Sequence, residues 1–178
     1  EVRTVLLVSN TPFEEVSTIY LDYRSRSSVT LCRILAAKAW KREYTWLPAP
    51  EEFEITSMVH GEAAVMIGDR CFEYARHFRY RLDLGLEWKK FTGLPFVFAC
   101  WVSSVKLPDH FTSLFNKALE EGLERRNEAV TLLREGAAAT PEEVIFYLNH
   151  NIDFRLDDRK REALAKFIDY IKELNITP

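Results

Sequence analysis

Four consecutive residues, Ser25, Arg26, Ser27 and Ser28, stand directly in front of an apolar, helix-like stretch in the segment DYRSRSSVTLCRIL (Asp22 to Leu35). Three hydroxyls and a guanidinium at such a point can hold an anion. The first amides of a helix lack intrahelical acceptors and its amino end is electropositive, while arginine can meet a carboxylate with two parallel hydrogen bonds. The same residues can equally be a simple N-cap, with Arg24 and Arg26 turned to water. Taken alone, they leave both readings open.

The elements that must position this turn are legible around it. STIYLD (Ser17 to Asp22) reads as a strand running into the turn, and from Val29 the apolar residues Val29, Cys32, Leu35, Ala36, Ala39 and Trp40 recur at helical spacing. VRTVLLVS (Val2 to Ser9) reads as a buried strand ending at the turn signal Asn10-Thr11-Pro12. Pro48 and Pro50 break the chain, and EAAVMIG (Glu62 to Gly68) reads as a short buried strand closed by Gly68 and Asp69. The order is that of a βαβ-like unit. Trp88 to Phe91 predicts a short helix ending at Gly93, and FVFACWVSS (Phe96 to Ser104) is the most strand-like stretch of the chain.

Beyond Pro108 the pattern turns to amphipathic helices. Ala118, Leu119, Leu123, Ala129, Val130 and Leu133 fall near helical spacing up to a stop around Gly136. Thr140-Pro141-Glu142-Glu143 satisfies a capping box with proline at the first helical position, and a last helix opens near Asp157 or Asp158 and runs through Leu164, Phe167, Ile168 and Ile171.

Composition limits the functions worth testing. The chain has 178 residues, 47% of them hydrophobic, and a net charge of −3, which suits one sizeable core or two small lobes. Cys32, Cys71 and Cys100 are odd in number, far apart and set in apolar sequence, so they read as reduced, buried thiols of a cytoplasmic protein. The longest apolar run, Leu94 to Val102 with Pro95 inside it, is too short to span a bilayer, so no membrane partner is expected. The chain opens at Glu1 without a methionine and enters strand-like sequence at once, as an excised piece would.

Known cofactor and metal motifs are missing: there is no GxGxxG, P-loop, GxSxG or HExxH, and no Cys or His pair at metal-ligand spacing. His60, His77, His110 and His150 are scattered without sequence-near partners and read as structural or solvent-facing. Arg76 to Arg81 (RHFRYR) alternates cations with aromatics, as a nucleic-acid surface can, but the acidic balance favours a solvated strand or turn with one apolar face. Asn175-Ile176-Thr177 matches a glycosylation sequon by chance.

The succession VRTVLLVS, LDYRSRSSVTLCRIL, AAVMIGD and DLGLEWKKFTGLPFVFACW resembles the chorismate dehydratases of the futalosine route to menaquinone, over essentially the whole chain. SRSS, IGD and TGLPFVFACW are together its specific blocks. The resemblance implies an α/β, periplasmic-binding-protein-like fold of two lobes with C-terminal helices. One complete lobe would span residues 11–78, while residues 1–10 and 79–178 would supply part of the other lobe, the crossover strands and the helices. Val2 to Ser9 would then lie beside Phe96 to Ser104 in one sheet. It also implies that the family's N-terminal segment is absent from this chain, and that either that segment or a second copy in a homo-oligomer covers the incomplete lobe.

Carried over by position, the resemblance implicates Ser25, Arg26, Ser27 and Ser28 in holding a substrate carboxylate, with Gly68 and Asp69 at the cleft end of a neighbouring strand and Phe96 near the hinge. Trp88 and Phe96 would serve as cleft wall or core, and Trp101 as core. Arg24 stands where the family more often has a small residue. The implied reaction removes water from chorismate, a small dicarboxylate, to give 3-[(1-carboxyvinyl)oxy]benzoate, with no metal or organic cofactor and no nucleic-acid partner. It assigns no proton-transfer residue. The sister dihydroxynaphthoate synthases, which need a histidine base, a carboxylate-binding protein without chemistry, and a structural protein with an unused turn remain alternatives.

Overall fold

The computed structural model describes residues 1–50, 53–132 and 138–176. Among these the chain forms two compact units, residues 1–99 with 155–178, and residues 100–154. The α/β class expected from the sequence is what the structure has.

The first unit is built on one five-stranded mixed sheet. Its strands are β1 (Val5–Ser9), β2 (Thr18–Leu21), β3 (Thr45–Pro48), β4 (Glu62–Ile67) and β5 (Tyr80–Asp83), in the order β3-β2-β4-β1-β5. β2 pairs in parallel with β3 and with β4, whereas β1 lies antiparallel between β4 and β5, with Leu7 opposite Val65 and Leu82. Four strands therefore point one way and β1 the other. All five residues of β1 are buried, which is why its sequence reads as an unbroken apolar run rather than an alternation. Leu6 and Val8 face a cluster with Ile55, Ala64, Met66, Cys71 and Phe78.

Helices α1 (Arg26–Ile34), α2 (Arg70–Tyr74), α3 (Leu84–Thr92) and α7 (Asp158–Glu173) surround the sheet, and α1 touches α3, α7 and β4. After Ile34 the helix continues as a π-helical stretch, Leu35–Trp40, and ends at Lys41 with φ of 53°. Trp88 of α3 is fully buried, donates from Nε1 to the Pro95 carbonyl at 3.2 Å and packs edge-on against Phe96, Phe167 and Tyr170. Gly93, at φ 74°, closes α3 in the left-handed conformation and donates its amide to the Lys89 carbonyl.

The second unit comprises α4 (Asp109–Glu124), α5 (Arg126–Val130) and α6 (Pro141–His150). Thr140 and Glu143 make both bonds of the capping box, as expected. At the start of α7 the Asp157 carboxylate caps the Lys160 amide, also as expected. Leu133 and the helix stop at Gly136 lie outside the described residues, as do Glu51 and the sequon's Thr177.

Two expectations are corrected, and one strand appears that the sequence did not announce. Val5–Ser9 does not pair with Phe96–Ser104, which forms no strand; its Phe96 ring packs on Trp88 of α3 and Phe167 of α7 instead, and the Ser27 hydroxyl takes up its Phe98 carbonyl. The strands β1 and β5 complete the sheet that β2, β3 and β4 begin. Thr45–Pro48 is a strand despite its proline, which an edge position tolerates. Finally, Cys100 and Trp101 are exposed, whereas Cys32 and Cys71 are buried as expected.

Candidate functional site

The four parallel strands end at one edge of the sheet, and the antiparallel β1 begins there. Loops at the carboxyl ends of parallel strands are where α/β sheets bind ligands, because helix amino ends and strand-end side chains converge there. At this edge stand Asp22 to Ser28 after β2, Gly68 to Arg70 after β4, Asp83 as the last residue of β5, and Arg3 and Thr4 before β1.

The loop after β2 is organised from within. Asp22 is buried, and its Oδ1 accepts the Arg24 amide at 2.9 Å, a local turn that reverses the chain towards α1. Ser25 is the N-cap of α1: its Oγ accepts the Ser28 amide at 3.1 Å and donates to Ser28 Oγ at 2.8 Å. Ser27 Oγ donates to the Phe98 carbonyl at 3.0 Å and lies 3.4 Å from Ser25 Oγ. Ser28 is buried, Ser25 and Ser27 are half-buried, and Arg26 is exposed. Arg26 makes no hydrogen bond or ion pair among the described residues, whereas Arg24 stacks on Tyr23 and donates to its hydroxyl. The simple N-cap is present. The cap occupies one helix amide and leaves the Arg26 guanidinium unspent beside the remaining ones.

The loop after β4 abuts this one. Gly68 and Asp69 are exposed. Gly68 turns the chain at φ 67°, a conformation that strains other residues, and its amide donates to the Thr4 carbonyl at 2.9 Å. Asp69 accepts the Phe72 amide through its backbone carbonyl, and its carboxylate makes no side-chain cap. Arg70 reaches back towards β2, with Nη1 3.9 Å from Asp22 Oδ2.

Asp83 is the structural keystone of the edge. Its Oδ1 accepts the Leu86 amide at 2.8 Å, capping α3, and its Oδ2 accepts the Val2 and Arg3 amides at 2.7 Å each. Arg3 is thereby held in the left-handed region at φ 64°, with its side chain exposed. Phe96 sits half-buried between Trp88, Phe98 and Phe167, and Ser27 holds the carbonyl of Phe98.

Of the residues singled out from the sequence, Ser25 to Ser28, Gly68 and Asp69 are gathered at one edge, and Phe96 stands behind them. Sequence reasoning passed over Asp22, Arg70, Arg3 and Asp83. Asp83 carried a usable signal, an aspartate directly before the helical stretch LGLEWKKFT; the pairing of Asp22 with Arg70 carried none.

Neither buried thiol is available as a nucleophile. Burial pushes Cys32 up to about 12, against a small opposing effect of Arg33, and pushes Cys71 up to about 12 despite neighbouring Arg70. His60 stands just before β4, at the opposite end of that strand from Gly68, and pairs with Glu15 at 3.1 Å. Among the described residues no helix is long and apolar enough to cross a membrane.

The carboxyl edge of the sheet thus gathers hydroxyls, helix amides and a guanidinium that is unpaired among the described residues. In a comparison with protein-family models, the menaquinone biosynthesis family matches residues 1–173, nearly the whole chain. The chain belongs to that family.

Proposed function

We propose that the chain acts in menaquinone biosynthesis as a dehydratase of chorismate, forming 3-[(1-carboxyvinyl)oxy]benzoate by loss of water. Ser25, Ser27, Ser28 and the amides at the start of α1 bind a substrate carboxylate, and Arg26 supplies the charge-assisted contact. Gly68 and Asp69 border the ligand from the next loop, and Phe96 backs the turn through Phe98.

The observation that carries this reading is the exposed Arg26, unpaired among the described residues, in a serine-built helix start at the carboxyl edge of the sheet, in a chain of this family. Dehydration needs a ring proton removed and a hydroxyl group helped to leave, and both depend on a ring held in one orientation. A carboxylate clamp supplies that orientation. The sister synthase reading needs an imidazole base at the same edge, and His60 stands at the other end of β4, paired to Glu15.

The test is direct. Incubating the protein with chorismate and following the ultraviolet absorbance of an aromatic product, with product identity checked by mass spectrometry, should give the dehydrated benzoate. Binding without conversion would leave a carboxylate-binding role, and neither binding nor conversion would end the reading.

A further inference from the structure

The Asp22 side chain is only 4% exposed, yet among the described residues its Oδ2 has no hydrogen-bond donor, and the cation facing it, Arg70 Nη1, stops 3.9 Å away. A buried carboxylate oxygen without a donor is costly, and an ion pair serving only stability would be expected to close into a hydrogen bond. Arg70 is not spent elsewhere. Its guanidinium lies 6.0 Å from the Tyr74 ring centroid, its side chain is 27% exposed, and it makes no hydrogen bond among the described residues. A planar fork with five donors is thus tethered on one side by Asp22 and retains free N–H groups.

Its place in the chain gives this geometry a meaning. Asp22 opens the turn that leads to Ser25 and Arg26, and Arg70 directly follows Gly68 and Asp69, so the pair joins the two loops of the site. We propose that Arg70 is the second cation of this site, taking one carboxylate of a dicarboxylate ligand whose other carboxylate lies on the Ser25 to Ser28 turn, with Asp22 steering the guanidinium. The inference rests on reading that turn as a carboxylate clamp. It makes Arg70 a determinant of specificity for dianions over monoanions, and Asp22 a positioning residue.

The probes are benzoate and benzene-1,3-dicarboxylate, titrated calorimetrically into the full chain. The wild type should prefer the dicarboxylate by about ten-fold or more, the scale of one charge-assisted hydrogen bond. R70Q should erase that preference while leaving benzoate affinity unchanged, R70K should restore part of it, and R26Q should weaken both acids. If R70Q folds poorly with Asp22 left uncompensated, the double variant D22N/R70Q removes both charges and should show the same loss of preference. Equal wild-type affinities, or a parallel loss for both acids in the Arg70 variants, would overturn this inference alone. No binding of either acid would overturn the clamp along with it. An Arg70-dependent preference in a protein that does not convert chorismate would uphold the dicarboxylate site and reject the dehydratase reading.

Discussion

Trp88 is fully buried and Trp101 is 77% exposed, and each is typical of the compact unit it belongs to. In residues 1–99 with 155–178, a central strand buried on both faces is flanked by others whose apolar residues meet the surrounding helices. In residues 100–154, Val130 is the one buried hydrophobic residue among those described, while Val102, Val105, Leu114 and Leu132 are each more than 60% exposed. Similar residue types therefore yield a core in one unit and an unpartnered surface in the other. The difference lies in the scaffold. A sheet offers two apolar faces that nearby helices can cover, whereas a helix buries its stripe only where another element meets it. The candidate site belongs to the unit with the core.

The sharpest way to break this contrast is to truncate the two tryptophans. Trp88→Ala should destabilise the sheet unit by about 3–5 kcal/mol in urea unfolding, the usual cost of removing a fully buried large aromatic side chain. A loss below about 1 kcal/mol would mean that the core does not depend on the cluster of Trp88, Phe96 and Phe167.

Thiol chemistry sharpens the same contrast. Cys100 is exposed and should react with a thiol reagent at neutral pH, while Cys32 and Cys71 stay protected until unfolding. The pH dependence has a definite sign. Both buried thiols ionise only near about 12 in the fold, from an ordinary value of 9.0, so their contribution to stability is complete below pH 9 and is lost as pH rises towards 12. Urea midpoints measured at pH 8 and 10 should fall accordingly. A rising midpoint would contradict the buried, neutral thiols.

Smaller effects are expected in residues 100–154. Thr140→Ala removes one half of the capping box and should cost α6 about 1 kcal/mol, read as faster amide exchange in Pro141–His150 with the amides of β1 unaffected. Trp101→Ala should change stability by no more than about 0.5 kcal/mol. A loss comparable to that of Trp88→Ala would show that Trp101 is buried in solution.

Much of the sheet unit was legible because its signals are local. The apolar run of β1, the serine cap at Ser25, the aspartate at Asp157 and the Gly93 stop each act within a few residues, and the structure has all of them. What failed depends on distant partners. Nothing in VRTVLLVS states that it inserts antiparallel between β4 and β5. FVFACWVSS has strand-like composition, but Trp88 and Phe167 take up its Phe96 ring and Ser27 takes the Phe98 carbonyl. The apolar setting of Cys100 suggested burial, yet the residues around it are left uncovered. In the site, the serine turn could be read as a string, whereas Asp22 and Arg70 meet only because β2 and β4 are neighbours.

Titration of chorismate into the wild type and Arg26→Ala reads out whether Arg26 and its serines hold a substrate carboxylate. The side chain is exposed and, among the described residues, unpaired, so the variant should unfold at the same urea concentration as the wild type. Its affinity should fall by about 1.5–3 kcal/mol, or roughly ten- to hundred-fold. An unchanged affinity in the normally folded variant would mean that Arg26 faces only water and that the serine turn is a helix cap and nothing more.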